Sequence, residues 1–433
     1  MKQDRKYEFI VVGSGAGGAT LAMELAKKGK SVLVVERGIR EEKVGSVMDN
    51  RRYYDLRGLA KMPFGFRKSK EGTILWRTLM AGGSTVVSCG NGVRCLEEEL
   101  AKFGINLDTE FSEMEEETGV APYDERRLSR GSKMILEASR ELGYKMEPMH
   151  KFIDPKKCRR CGNCASGCKY DAKWTALDFL DKAIENGAEI LYKALVEKVL
   201  IENGKVKGIS LIGAGGRTEI MADAVILAAG GFGTPFILQN SGIEEAGSNF
   251  FMDLFINTYG IARDLNQTDE PAMALVDLEF HKSRGFIISP FIHQSRMARF
   301  LDIGMKGMLM PTDGLLGLMT KIVDESVGRV YPDGTFSKPV TDKDRERLNE
   351  GFSISKEILI KAGADSKSIT VSKIQGDHPG GTAAIGRVVD KDLQAKADNL
   401  FVCDGSVLPT SPGMPPIFTI AALAKRLAKT LAP

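Results

Sequence analysis

The segment Gly13-Ser14-Gly15-Ala16-Gly17-Gly18 constrains this chain more than any other. It follows an apolar run, residues 7–13, and opens a stretch with helical spacing at Ala19, Leu21, Ala22, Leu25 and Ala26. A second apolar run, residues 32–35, begins just beyond Gly29 and Lys30. Strand, helix and strand in so short a span predict a parallel pair joined by a right-handed crossover. The glycines fit G-x-G-x-x-G at Gly13, Gly15 and Gly18. In that pattern the first glycine permits a tight turn, the second lets the backbone approach a pyrophosphate, and the third lets helix and strand pack closely. The phosphates would rest on the helix N-terminus, where free amides and the helix dipole favour negative charge. Glu36 ends the second strand, twenty-three residues after Gly13. A carboxylate there would accept hydrogen bonds from ribose hydroxyls and repel a 2′-phosphate. FAD and NAD both satisfy this arrangement, and its place at the start of the chain leans toward FAD.

Composition excludes several function classes. Of 433 residues, 43% are hydrophobic and 27% charged, the balance of an ordinary globular protein. Sixty Lys and Arg against 57 Asp and Glu leave a net charge of +3, too weak a field to expect nucleic acid or an anionic membrane surface as partner. No run of about eighteen apolar residues occurs, so no membrane span is expected. Residues 1–8 lead into the first strand without a charged-then-apolar leader, which points to the cytoplasm. Seven cysteines are too few for a secreted disulfide scaffold of this length.

Further along, the pattern predicts helices over 97–117 and 132–142 and strands between 188 and 211, with a turn at Asn203-Gly204. Another strand over 224–229 ends in Gly230-Gly231. Residues 263–343 lack helical periodicity and read as antiparallel strands, whereas 344–362 and 416–431 read as helices. Within 304–321, four methionines and four leucines are split by Pro311-Thr312-Asp313-Gly314. This reads as a wall of the core; the alternative is a surface for a hydrophobic substrate or partner.

The C-terminal part carries Asp377-His378-Pro379-Gly380-Gly381-Thr382, the run from Asn399-Leu400-Phe401-Val402-Cys403-Asp404-Gly405-Ser406 to Pro409-Thr410, and Thr419-Ile420-Ala421-Ala422-Leu423-Ala424. These segments closely resemble the glucose-methanol-choline (GMC) oxidoreductase family. Gly82-Gly83-Ser84-Thr85 is similar to that family's glycine-serine flavin loop, and Ala229-Gly230 through Thr234-Pro235 to Ser241-Gly242-Ile243 to its second flavin-contacting segment. The resemblance covers roughly residues 7–95, 158–245 and 371–431. It implies an FAD enzyme that oxidises alcohols. By it, Gly13, Gly15, Gly18 and Glu36 would hold the ADP half, and Val196 would meet the adenine through its backbone. Gly83, Ser84 and Thr85 would line the flavin, and Asp404 would lie near the pyrophosphate or ribityl chain. His378 looks like the family's active-site histidine, which takes the alcohol proton while hydride leaves for the flavin. An imidazole, ordinarily neutral near pH 7, suits that general-base work. The remaining histidines, His150, His281 and His293, have no such context. One departure is serious: where the family places Asn or His as a second catalytic residue, this chain has Gly413-Met414-Pro415-Pro416, and proline offers neither a side-chain polar group nor an amide hydrogen. Thr410, Ser411 or a substrate-domain side chain would have to replace it, or the reaction is not ordinary alcohol oxidation. Ser88 also stands where many members have Asn.

Cys158-x2-Cys161-x2-Cys164-x3-Cys168 has the spacing of ferredoxin-type iron-sulfur ligation. In two-cluster ferredoxins the fourth cysteine serves the other cluster, but here no second run exists and no proline follows Cys168. Either all four hold one four-iron (4Fe-4S) cluster or one ligand comes from elsewhere, with Cys89 or Cys95 in reserve. Gly162 and Gly167 give the loop freedom to wrap a cluster, and Arg159, Arg160 and Lys169 would offset its negative charge. A structural zinc on four thiolates and a metal-free loop are the competing readings. With a cluster, a two-electron flavin would sit beside a one-electron carrier, which favours a dehydrogenase feeding a redox-protein partner over an oxidase.

Together these features predict an α/β chain. An FAD-binding Rossmann-like domain would comprise residues 1–150, 169–262 and 371–433, with a cysteine-rich iron-sulfur loop at 151–168 and an inserted, mainly antiparallel β substrate domain at 263–370. The expected activity is FAD-dependent oxidation of a small-molecule alcohol or related hydroxy compound. The alternative, to which Pro415 lends weight, is a flavin and iron-sulfur electron-transfer subunit of a larger redox complex without alcohol chemistry of its own.

Overall fold

A computed structural model describes residues 6–46 and 67–433. The first apolar run forms the strand Tyr7–Val12, the glycine segment turns into the helix Ala16–Lys27, and the chain returns along Val32–Val35, parallel to the first strand. This unit sits inside a seven-stranded sheet. Glu189–Leu191 flanks Val32–Val35, and the long strand Gly216–Leu227 flanks Tyr7–Val12, both in parallel. Gly216–Leu227 serves two partners in turn. Its first half pairs antiparallel with Lys205–Gly213, which pairs with Leu195–Glu202; its second half lies parallel to Tyr7–Val12 and Leu400–Val402. Every residue of Val32–Val35 is buried, as expected of a parallel strand covered on both faces.

Absent side chains let these elements approach. A Cβ at Gly17 would lie 1.8 Å from the Cys403 carbonyl oxygen, and one at Gly18 would lie 2.0 Å from the Gly13 oxygen. The helix Ala16–Lys27 can therefore sit directly on the end of Leu400–Val402, with the C-terminal helix Ile417–Leu431 and Ala176–Glu185 packed on its flanks.

A second, nine-stranded sheet is centred on Leu254–Ile261 and Leu315–Ile322 and is antiparallel apart from the short Gln375–Gly376 and Ile74–Leu75 pair. The twenty-residue helix Asp342–Lys361 covers one face, where Thr320 meets Gly351. On the opposite face Phe255 and Lys321 stand across from each other in register, the ammonium 5.0 Å from the ring centroid. Leu254–Ile261 and Met146–Pro148 both belong to this sheet, although the sequence grouped them with the FAD-binding segments. The apolar patterning of a strand does not reveal which sheet it joins.

Two local expectations are corrected. The helix expected over 97–117 is two, Glu97–Ala101 and Asp108–Thr118. Gly104, at φ +74°, ends the first, and the Ile105 amide reaches back to Leu100 O while Asn106 caps the Asp108 amide. Residues 263–343 are not strands alone but hold the short helices Glu279–Arg284, Arg296–Ile303 and Met305–Leu309. The methionine-rich segment accordingly splits. Leu315–Ile322 is wholly buried, whereas Met305 and Leu309 are 60% and 77% exposed. Among the described residues no helix is long and apolar enough to cross a membrane.

Candidate functional site

One cavity of about 920 Å³ runs from the glycine turn to the inner face of the second sheet, a size suited to a cofactor and a small substrate together. Gly13, Gly15, Glu36, Val196 and Asp404 line it at one end. Gly83, Ser84 and Thr85 line its middle, and His378 stands where the two sheets meet. Gly18 does not reach the cavity; it lies beneath the turn, against Gly13.

At the turn the glycines divide the work. Gly13 adopts φ +103°, and a Cβ there would strike the Ala228 oxygen at 2.3 Å. Gly15 is the opposite case, since a Cβ would meet no atom within 4 Å. It caps the helix and has no side chain to bond the first amides, which among the described residues leaves them available to an anion. This cradle fits a pyrophosphate. Glu36 is buried, accepting from the Ser14 amide at 3.1 Å, Ser14 Oγ at 2.7 Å and the Gly38 amide at 2.7 Å. Burial pushes its carboxyl above the ordinary range, opposed by those donors. Ser14 was not singled out in the sequence, yet its Oγ also accepts the Gly82 amide at 3.2 Å and so ties the glycine turn to the flavin loop. In that loop Thr85 Oγ1 donates to Gly82 O and accepts the Ala176 amide. Asp404 accepts from the Gly230 and Ser406 amides and from Thr234 Oγ1, which clamps the ends of two parallel strands together. Val196 reaches the cavity from the antiparallel strands, opposite Leu211 and next to a bulge.

At the other end His378 Nδ1 lies 2.9 Å from Asp253 Oδ2. Asp253 is fully buried and held at φ +47°, a conformation an aspartate adopts more readily than most residues. Its carboxylate needs a donor, so Nδ1 carries the hydrogen and Nε2 keeps a lone pair. Lys321, 1% exposed along its side chain, ion-pairs with Asp377 and lies 3.5 Å from Nδ1; Asp377 is 3.6 Å from Nε2. Burial alone would raise the Asp377 carboxyl, but neighbouring His378 and Lys321 hold it below its usual range. Sequence reasoning missed Asp253 and Lys321, which stand far from His378 in the chain and meet it only through the pairing of Leu254–Ile261 with Leu315–Ile322. It also passed over His293, which lines the same cavity between Trp76 and Phe291. Pro415 lines the cavity, while Ser411 is buried behind it, bonded to Asp253 and Asp324.

Family profiles for the N- and C-terminal parts of GMC oxidoreductases match residues 7–255 and 324–424. The chain belongs to the GMC oxidoreductase family. It is therefore an FAD-dependent oxidoreductase, and the cradle at Gly15 fits that cofactor. It is 30% identical to the uncharacterized protein MJ1450 of Methanocaldococcus jannaschii, over 98% of this chain and 100% of that one. It is 23% identical to the long-chain-alcohol oxidase FAO3 of Arabidopsis thaliana, over 98% of this chain and 68% of that one. In fold it is similar to a pyridoxine 4-oxidase from Mesorbium loti, with TM-score 0.75 and 16% identity over 98% of this chain and 99% of the other. A formate oxidase from Aspergillus oryzae gives TM-score 0.76 and 17% identity over 100% and 99%.

In this GMC oxidoreductase the four cysteines of the 158–168 loop all line one small cavity of about 20 Å³, together with Arg159 and Lys173. That is room for about one water, so a cluster would require the loop to spread. Among the described residues no three His, Cys, Asp or Glu side chains converge as a single metal ion demands. Cys89 and Cys95, the reserve ligands, lie elsewhere. Cys89 lines the large cavity and Cys95 is buried against Thr419, and burial raises their thiols to about 11 and about 12. The loop has two faces: Gly162, Asn163, Ala165 and Ser166 line the flavin cavity, while Cys161 and Cys164 line the small one. Two lysines buried nearby were not anticipated. Lys173 donates to Val86 O and Ser88 O of the flavin loop and to Cys164 O; Lys151 donates to Cys89 O and Ala272 O. Neither pairs with a carboxylate among the described residues, and burial pushes the ammonium of each down, that of Lys151 to about 8.

The glycine geometry separates folding from cofactor binding. Gly17→Ala must displace the Cys403 backbone and is expected to cost about 1–3 kcal/mol or more. Gly15→Ala meets open space and is expected to cost about 1 kcal/mol or less while lowering FAD affinity at least tenfold. Thermal unfolding of the FAD-free proteins and fluorescence titration with FAD check both.

Proposed function

We propose that this chain is an FAD-dependent dehydrogenase that oxidises an apolar hydroxy compound, with His378 as the base. One observation carries the reading: His378 faces a cavity continuous with the dinucleotide cradle, and buried Asp253 leaves its Nε2 free to accept a proton. FAD bound in the cavity would supply the acceptor for the hydride leaving the carbinol carbon, with its adenine at Val196 and Asp404 near its pyrophosphate or ribityl chain. His378 takes the hydroxyl proton, and the resulting imidazolium is stabilised by Asp253 on one side and Asp377 on the other. Lys321 supplies the polar contact to the substrate oxygen that Pro415 cannot, its buried ammonium retaining donors beyond the one given to Asp377. The substrate end is walled by Phe255, Phe291, Ile292, Met297, Leu301 and Met319, which suits an apolar chain or ring. The likeness to a long-chain-alcohol oxidase supports that choice.

Single electrons would then have to pass to a redox-protein partner. An iron-sulfur cluster on Cys158, Cys161, Cys164 and Cys168 would supply that one-electron step. The ligand spacing supports it, and so does the position of the loop, whose opposite face lines the flavin cavity. Buried Lys173 and Lys151, without a carboxylate counter-charge among the described residues, would balance an anionic cluster, since an uncompensated buried cation is costly. A reducing cytoplasm would keep the four cluster ligands and the three other cysteines out of disulfides.

His378→Asn is expected to keep FAD bound and to slow its anaerobic reduction by a hydroxy substrate by about a hundred- to ten-thousand-fold. A variant reducing flavin at the wild-type rate would show that His378 is not the base. If no hydroxy compound reduces the wild-type flavin while a redox protein does, the chain is an electron-transfer subunit. After anaerobic purification, iron and sulfide are expected in about four atoms each per chain, with a paramagnetic signal on reduction. One zinc without iron, or no metal, would contradict the relay.

A further inference from the structure

Ser411 stands between two buried aspartates, and its one hydroxyl hydrogen cannot serve both. Its Oγ lies 2.7 Å from Asp253 Oδ1 and 2.8 Å from Asp324 Oδ1, and it accepts the Asp324 backbone N–H at 3.1 Å. All three residues are at most 2% exposed. A hydroxyl offers one donor and two acceptor lone pairs. With both carboxylates ionised, one of the short contacts would set oxygen lone pairs against each other, and two like charges would face one another without water. The count closes when one carboxyl keeps a proton. That carboxyl donates to Ser411 Oγ, the Asp324 N–H fills the second lone pair, and the Ser411 O–H donates to the remaining carboxylate.

Geometry also decides which carboxyl it is. Asp253 accepts His378 Nδ1–H at 2.9 Å and the Gly413 N–H at 3.1 Å, so the Ser411 hydroxyl makes a third donor to its ionised form. Asp324 accepts a long bond from the Met252 N–H at 3.2 Å and one from Lys338 at 3.0 Å, and Lys338 also faces buried Asp344 at 3.8 Å. Burial raises the Asp324 carboxyl, as does neighbouring Asp253, and Lys338 opposes them. Other charged or titratable groups nearby among the described residues are Lys321 and Asp377 beside His378, Arg347, which donates to Val323 O, Glu325 next to Asp344, and His281, whose Nε2 is 2.7 Å from Pro412 O and whose burial disfavours its charged form.

We propose that Asp324 is a neutral carboxylic acid in the resting protein, and that its proton locks Ser411 as a donor to Asp253, which in turn holds His378 in its Nδ1–H form. The consequence for catalysis rests on the reading of His378 as the base. Asp324 is thus a positioning residue acting through two others. A Ser411 free to turn toward an ionised Asp324 would withdraw a donor from Asp253 and loosen the imidazole.

Infrared spectra of the FAD-loaded protein with isotope-labelled aspartate test this directly. A protonated-carboxyl carbonyl band is expected at neutral pH, shifting with the label and vanishing in Asp324→Asn. In the same variant an amide N–H replaces the carboxyl O–H toward Ser411, so it should reduce flavin about tenfold faster than Asp324→Leu, which has no donor. Absence of the band in the labelled wild type overturns the proposal whether or not the variants fold. So does its persistence in Asp324→Asn, or equal rates in the Asn and Leu variants. The band does not depend on catalysis: if it is present while His378→Asn still reduces flavin at the wild-type rate, the proton assignment stands and only the reading of His378 fails.

Discussion

Backbone meets backbone at the glycine turn with no side chain between. The Cys403 carbonyl fills the place of a Gly17 side chain, the Gly13 carbonyl that of Gly18, and the Ala228 carbonyl that of Gly13. Interiors are packed densely enough that a single methyl group there would force the strands apart. From this contact the site follows outward. Cys403 leads into Asp404, which clamps the Gly230 turn, and the amides of Gly381 and Ala383 bond to Gly405 O and Ser406 O. Gly231 leaves room for the Pro379 carbonyl, next to His378. An almost unbroken path of backbone contacts therefore fixes the base relative to the cradle. Such placement is what a proton and hydride transfer between two bound partners requires.

The two ends of the cavity handle buried charge differently. Behind His378 are the carboxylates of Asp253 and Asp377, which stabilise the imidazolium formed when the base takes a proton. On the side of the cysteine loop are the buried ammonium groups of Lys151 and Lys173, bonded to carbonyls and without a carboxylate partner among the described residues, which favour an anion. Lys173 bonds the carbonyls of both the flavin loop and Cys164 and so ties the cysteine loop to the flavin wall.

Much of this was legible in the sequence, for local reasons. The strand, glycine turn and helix at residues 7–27 are close in the chain, and Glu36, Asp404 and His378 stand in motifs with their neighbours. The pairing of Asp253 with His378 was not legible, because it depends on Leu254–Ile261 joining the second sheet rather than the first. Lys321 looked like one more residue of an apolar run, and only its position on the cavity face of Leu315–Ile322, opposite Phe255, makes it part of the site. The helix expected over 97–117 failed at Gly104, where a left-handed glycine outweighed the surrounding helical propensity.

In the proposed reaction a hydroxy compound delivers hydride directly to FAD in the cavity beside His378. The most direct measurement is the anaerobic bleaching of the flavin by an apolar primary alcohol, compared with the same alcohol deuterated at the carbinol carbon. Bleaching slowed severalfold by deuterium is the predicted result. A flavin that no alcohol reduces, or one reduced at the same rate by both isotopologues even when carbon–hydrogen cleavage is made rate-limiting by a slow substrate, would contradict it.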